Sequence, residues 1–245
     1  MTAGGALAGA AATAAPLPFT NRARLPIDGG YASAGNPPTW TLRGQIRTVW
    51  HVPTTTEAVA LTFDDGPCPQ WTPQVLDTLA ELEAPATFFL VGSNLRRYAS
   101  LARYSGHEVG NHTWSHADLA RLDEQAVLDE VRRCHYEISA VLGAAPKLLR
   151  PPWGHMAGST LLAADSLDYD IVLWSQRMPE NEYRVNRSGI VNRVVADAQP
   201  GAIMLAHDTG STDRLITVEN LRGIVRGLRA KGFRLVTVSE LLATA

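Results

Sequence analysis

From residue 58 to the C-terminus, short apolar runs alternate with stretches in which apolar residues recur every three or four positions. Apolar runs bounded by turn formers read as buried strands, and the longer period reads as helices with one buried face. The pattern predicts strands over 58–63, 86–91, 107–111, 147–151, 170–174, 202–206 and 233–238. It predicts helices over 73–83, 94–104, 124–142, 158–166, 188–198 and 215–230. Alternation of this kind implies a parallel sheet, and seven such units either close into a barrel or wrap an open sheet. In such barrels the reactive residues sit where strands end. Here Asp64, Asp65, His112, Arg150, Trp174 and His207 fall at those ends.

Upstream the pattern changes. Trp40, Leu42, Ile46, Trp50 and Val52 fall on even positions, with Thr41, Arg43, Gln45, Arg47 and His51 between them. Period two predicts an extra strand or hairpin laid against the domain, with Gly44 as a bend or bulge. Residues 18–38 are rich in Pro, Gly and Asn and read as a linker. Residues 3–15 are small and apolar and are followed by Pro16, like the end of an export signal. The expected division is 1–17 as a signal remnant, 18–56 as linker and covering β segment, and 57–245 as the catalytic domain.

With 45% hydrophobic residues in 245, one domain with a full core is expected. A formal net charge of -2 argues against a nucleic-acid partner. The charge is uneven: Arg22, Arg24, Arg43 and Arg47 oppose only Asp28 among the first fifty residues, so the remainder is net acidic. A basic arm of this kind reads as a solvated linker.

Four stretches carry the chemistry. In Thr62-Phe63-Asp64-Asp65-Gly66-Pro67, a buried strand ends in two adjacent carboxylates, which repel each other and are costly to desolvate. A divalent cation is the simplest way to offset that, although Asp-Gly-Pro is also ordinary turn chemistry. In Asn111-His112-Thr113-Trp114-Ser115-His116, the two histidines are four apart. One helical turn would let both face one point, and two imidazoles with one carboxylate suit zinc. His107, just upstream, reads as a histidine hydrogen-bonded within its strand end. Arg150-Pro151-Pro152-Trp153-Gly154 is a rigid strand exit that would bring an arginine to the carboxylates. Leu205-Ala206-His207 places a histidine on the same rim, where it is a candidate general acid.

Together these four motifs, in order and over roughly residues 57–243, resemble the polysaccharide deacetylases of carbohydrate esterase family 4. The resemblance implies a distorted (β/α) barrel and one divalent metal ion, usually Zn2+, on Asp65, His112 and His116. It implies Asp64 as general base, His207 as general acid and Arg150 as the group that orders the catalytic carboxylate. The backbone N–H of Trp153 would hold the acetyl oxyanion, and Leu205 and Trp174 would wall the acetyl methyl pocket. The activity implied is removal of acetyl groups from an acetylated polysaccharide, chiefly N-acetyl groups of a glucosamine polymer of chitin or peptidoglycan type. An O-acetyl xylan esterase and a carbohydrate-binding pseudoenzyme are the alternatives. A secreted or cell-envelope monomer with no membrane span in its mature form is expected.

One departure stands out. Family members carry an Asp after the Trp-Ser of the fifth strand that orients the acid histidine, and Trp174-Ser175-Gln176-Arg177-Met178-Pro179-Glu180-Asn181-Glu182 has none. Glu180 or Glu182 would have to substitute. Of the two cysteines, Cys134 shares helical spacing with Val127, Val131, Ile138 and Val141 and reads as core, while Cys68 lies in the loop after Pro67.

Overall fold

The strand Ala58–Asp64 is buried along its whole length, and the rest of the domain is built out from it. The computed structural model describes residues 46–245, together with the backbone of Arg22–Arg24 and Tyr31–Ser33. In chain order the elements are β1 (Arg22–Arg24), β2 (Tyr31–Ser33), β3 (Thr48–Val49), β4 (Ala58–Asp64), α1 (Thr72–Glu81), β5 (Thr87–Leu90), α2 (Gly92–Arg97) and β6 (Glu108–Asn111). There follow α3 (Glu124–Leu142), β7 (Leu148–Leu149), α4 (Gly158–Ser166), β8 (Asp170–Val172), β9 (Gln176–Arg177), α5 (Gly189–Asp197), β10 (Ile203–His207), α6 (Leu215–Ala230), β11 (Arg234–Val236) and α7 (Val238–Leu242).

The main sheet runs β3-β8-β7-β6-β5-β4-β10-β9, with β11 also on β4, and every ladder between its named strands is parallel. Three residues separate β8 from β9, so this one stretch pairs with β7 at its start and with β10 at its end. That brings the sheet round on itself into the expected distorted (β/α) barrel. All seven expected strands are present, five of them shortened by one to three residues, one shifted by a residue and the first extended to Asp64, and the expected helices are present.

Strand alternation decides which residues reach the interior. On β4, Val59, Leu61 and Phe63 pack into the large apolar layer shared with α1 and α6, where Phe63 stacks on Phe88 at 5.1 Å. Ala58 and Ala60 face the other way, among Phe89, Leu148, Val172 and Ile203. Thr62 and Asp64 continue this inward parity, so the strand delivers a carboxylate to the mouth of the barrel. On β10 the same parity carries Leu205 and His207 inward, and His207 lies in register with Asp64.

Several expectations change. The helix expected over 94–104 is α2 followed by a 3-10 turn at Ala99–Leu101. The short strand β9 and the C-terminal helix α7 were not expected from the pattern, and Val238 begins that helix rather than ending a strand. The covering segment is present as β3, paired to β8, with His51 bridging Ala202. Period two fails at Trp50, which is 58% exposed, because the pairing lasts only two residues. The stretch read as linker contains the antiparallel pair β1–β2, with β2 against α4. The stretch read as a signal remnant, residues 1–17, and Trp40, Leu42 and Gly44 lie outside the described residues. Cys134 is core as expected, its thiol donating to the Leu90 carbonyl, and Cys68 is free as well.

Behind the first loop of the mouth sits a fully buried carboxyl, Asp208. Its Oδ2 accepts from the Thr72 hydroxyl at 2.5 Å, and its Oδ1 has no hydrogen-bond partner. It lies so close to Gly66 that a Cβ there would approach Asp208 Oδ1 to 2.4 Å. Burial pushes its pKa up to about 7, partly offset by the Thr72 hydrogen bond. The folded protein therefore holds this proton more tightly than the unfolded chain does. Its stabilising contribution is present below about pH 4 and is lost as pH rises towards 7. His207 works in the opposite sense, since burial lowers its pKa to about 4. Asp208→Asn keeps the acceptor for Thr72 and removes the titration. In chelator-treated protein the variant should gain roughly 1–4 kcal/mol over the wild type between pH 5 and pH 8, at about 1.4 kcal/mol per pKa unit. Urea unfolding of both proteins at the two pH values reads the difference, and parallel pH dependences would refute a buried, proton-holding Asp208.

Candidate active site

The strand ends bring the expected residues to one mouth. Asp64 is 3% exposed, and its Oδ1 accepts from Arg150 Nη1 at 2.7 Å. Arg150 leaves β7 at the rim and is wholly buried. Its Nη1 also donates to Thr62 Oγ1 at 2.7 Å, its Nε to the Val172 carbonyl at 3.1 Å and its Nη2 to the Leu173 carbonyl at 2.9 Å. The guanidinium lies over the Phe89 ring, 4.0 Å from its centroid. Burial lowers the pKa of Arg150, and the Asp64 charge opposes that shift. An arginine planted this way has no freedom to move, so one oxygen of Asp64 is committed to it.

Asp65 turns out of the strand with a φ of 77°, in the left-handed region that side chains rarely adopt. Thr113, His116 and Trp153 share this property, at 68°, 60° and 55°. Backbone strain of this sort persists only where surrounding contacts over-determine it, and it gathers at functional sites. The strain also corrects one expectation. His112 and His116 do not lie on a helical turn: residues 112–116 form an irregular loop, and the two positive φ values fold the second imidazole back towards the first. Their rings meet edge to face at 5.0 Å.

The result is a cluster of Asp65, His112 and His116 whose ligand atoms all lie within 4.8 Å of one another. His112 Nδ1 is 2.6 Å from the Arg150 carbonyl, which can only accept, so that nitrogen carries the proton. In the neutral ring Nε2 is then a lone pair. It faces Asp65 Oδ1 at 3.3 Å and Asp64 Oδ2 at 3.7 Å, while His116 Nε2 lies 3.0 Å from the same Asp65 oxygen. Asp65 Oδ1 is buried and accepts no hydrogen bond. Burial alone would raise the pKa of Asp65, but His112 and His116 hold it well below the usual carboxylate range. Burial pulls the pKa of His112 down, but Asp64 and Asp65 outweigh it and leave it raised. Converging lone pairs of this kind fit a cation. Ligands about 2.0–2.1 Å from a tetrahedral zinc are separated by about 3.3 Å, close to the spacings here.

Round the mouth, Trp153 is 57% exposed and stands edge-on to His116 at 4.4 Å. Trp174 packs against Gly154, and Leu205 is buried on β10. His207 closes the far side, and among the described residues nothing hydrogen-bonds its ring. Neither glutamate offered as a substitute for the missing aspartate reaches it. Glu180 accepts from Thr217 Oγ1 at 2.9 Å, and Glu182 is exposed. His107 also differs from expectation: its Nδ1 is buried without a partner, and its ring stands edge-on to Phe88 at 5.3 Å.

Sequence reasoning missed Arg214, whose Nη1 donates to Asp65 Oδ2 at 2.6 Å, and Asn94, whose amide donates to the Asp65 carbonyl at 2.9 Å. It also missed Asp208. Arg214 follows a loop of Gly, Ser, Thr and Asp with no hydrophobic period to mark it.

A polysaccharide deacetylase family model matches residues 51–172. A peptidoglycan-N-acetylglucosamine deacetylase of Bacillus cereus is 38% identical over 197 residues, covering 79% of this chain and 92% of the relative. A chitooligosaccharide deacetylase of Bradyrhizobium is 37% identical, covering 76% of this chain and 91% of the relative. The crystal structure of a peptidoglycan N-acetylglucosamine deacetylase superposes with a TM-score of 0.75 at 33% identity, covering 82% of this chain and 94% of the other. With the barrel, the arginine-bound Asp64 and the Asp-His-His cluster in the same chain, the protein belongs to the polysaccharide deacetylase family.

Proposed function

We propose that the chain hydrolyses N-acetyl groups on a glucosamine-containing polymer of peptidoglycan or chitin type, as a secreted or cell-envelope monomer using zinc. The observation that carries this reading is the convergence of Asp65 Oδ1, His112 Nε2 and His116 Nε2 beside a carboxylate already tied to a buried arginine. The relatives named for peptidoglycan and chitooligosaccharide support the polymer class and a site of action at the envelope or outside the cell. Among the described residues no helix is long and apolar enough to cross a membrane.

Asp65, His112 and His116 would hold the ion, which when bound supplies Lewis acidity and lowers the pKa of a water towards about 7. Asp64 is the general base. Its Oδ1 is held by Arg150, and Oδ2 on the side of His112 is left to take a proton from the attacking water. The backbone N–H of Trp153 would help hold the developing oxyanion, where a fixed donor contributes most. Leu205 and Trp174 wall the acetyl methyl. His207, beside Asp64 at the end of the neighbouring strand, protonates the departing amine. Burial lowers its pKa to about 4, with Asp64 opposing that shift and Arg214 adding to it.

His116→Ala should retain the fold and lose the metal on dialysis, because losing even an outer partner of a ligand typically costs about 10–100-fold in affinity. Metal analysis after dialysis reads this, and wild-type metal content in the variant would remove His116 from the set. The acid role has a separate signature. An amine leaves poorly unless protonated, whereas an activated aryl ester expels a weakly basic phenolate that leaves unaided. His207→Ala should therefore lower kcat/KM on an N-acetylglucosamine oligomer by roughly 10²–10⁴-fold and on an aryl acetate far less. Asp64→Asn should impair both substrates. Equal losses on the two substrates for His207→Ala would reject the acid role. Absence of acetate release by zinc-loaded wild type from any acetylated glycan would favour the carbohydrate-binding pseudoenzyme.

A further inference from the structure

We propose that Arg214 is a positioning residue for the metal centre: it pins the outer oxygen of Asp65 so that only Oδ1 is offered to the ion. This inference rests on the metal-site reading above and concerns a residue that none of the four motifs contains.

The carboxylate of Asp65 divides its two oxygens between two environments. Oδ1 points between His112 and His116 and accepts no hydrogen bond. Oδ2 accepts from Arg214 Nη1 at 2.6 Å, and the same Nη1 donates to the Thr209 carbonyl at 3.0 Å. Two acceptors on one nitrogen fix the guanidinium in place. Its base is fixed as well, because Arg214 immediately precedes α6, whose Ile216, Thr217, Val218 and Leu221 are buried. The chain makes room at Gly210, which has a φ of 109° and where a Cβ would lie 2.4 Å from Arg214 Nη1. A side chain at 210 would displace the guanidinium.

This arrangement has two consequences. Asp65 already departs from the ordinary backbone regions, so its carboxylate needs a second anchor to hold one rotation, and Arg214 and the Asn94 contact to its carbonyl supply that. With Oδ2 occupied, Asp65 binds through one oxygen only and leaves a coordination position for water. Against this stands the repulsion between the guanidinium and a divalent ion. Arg214 is 28% exposed at its side chain, so solvent screens that repulsion only in part, and the net effect on affinity is what the test reads. Outer partners of metal ligands generally raise affinity by holding the ligand in its bound geometry.

The test is zinc affinity, read by competition with a chromophoric chelator, so it does not depend on turnover. Arg214→Ala should weaken zinc binding by roughly 10–100-fold relative to wild type. Arg214→Lys, which keeps a charge and a donor, should recover part of the loss. Gly210→Ala should weaken binding in the same direction with the arginine still present. Asp213→Asn, next door but paired outward to Arg184, should leave affinity unchanged. Circular dichroism and the metal-free Tm of each variant report folding, and if Arg214→Ala is unfolded the Lys and Gly210 variants decide. Zinc affinity in Arg214→Ala equal to or tighter than wild type, or a loss that Lys does not reduce, would overturn the positioning role. Failure of the wild type itself to bind zinc would instead bring down the metal-site reading, and this inference with it.

Discussion

Two adjacent carboxylates at the end of a buried strand are the constraint on which this site depends. Asp64 and Asp65 cannot both keep their charge in a half-dry mouth unless cations separate them. The chain supplies one arginine to each, from opposite sides of the sheet end. Arg150 reaches Asp64 through the barrel interior, and Arg214 reaches Asp65 from the loop before α6. The two carboxylates are thereby sent apart, one inward by strand parity and one turned out by a positive φ. Each keeps one oxygen for its arginine and one for chemistry. Breaking a buried ion pair of the Asp64–Arg150 kind typically costs about 3–5 kcal/mol, because the remaining charge is left without a partner. The same contacts that make the site workable therefore also hold the mouth together.

Most of the barrel was legible because its strands are short apolar runs with turn formers at both ends. Ala58–Phe63 could be read from composition alone, and the helix with Val127, Val131, Cys134 and Ile138 from its period. What escaped was structure without a hydrophobic period. The pair Gln176–Arg177 is two polar residues that join β10 because β8 has already brought the chain alongside. Val238 looks like the last residue of a strand, yet Thr237 and Glu240 form a capping box that starts a helix there. Trp50 shows the converse failure, an alternating pattern whose pairing stops too soon to bury it.

The site was legible in its motifs but not in its geometry. Spacing four suggested that His112 and His116 share a helical face. The structure brings them together by a different device, left-handed turns at Thr113 and His116. No pattern of residue types announces such turns when the residues involved are not glycine. Arg214 and Asp208 were invisible for another reason. They act through contacts to residues about 140 positions away, and only the fold makes those contacts.

The absent fourth-motif aspartate now has a physical reading. His207 lies level with Asp64 on the neighbouring strand, and nothing among the described residues accepts a hydrogen bond from its ring. Burial and the nearby Arg214 both favour the neutral imidazole, while Asp64 favours the charged one. A carboxylate partner would tip that balance towards a ready acid. Glu180 is spent on Thr217 and Glu182 faces solvent, so the chain leaves the balance to Asp64 and Asp65. The asymmetry is then plain: Asp64 is held by a buried arginine with four side-chain hydrogen bonds, and the His207 ring has no hydrogen-bond partner among the described residues. The carboxylate proposed as base is built into the barrel by its arginine, and the histidine proposed as acid stands on the neighbouring strand end without a hydrogen-bonded partner among the described residues.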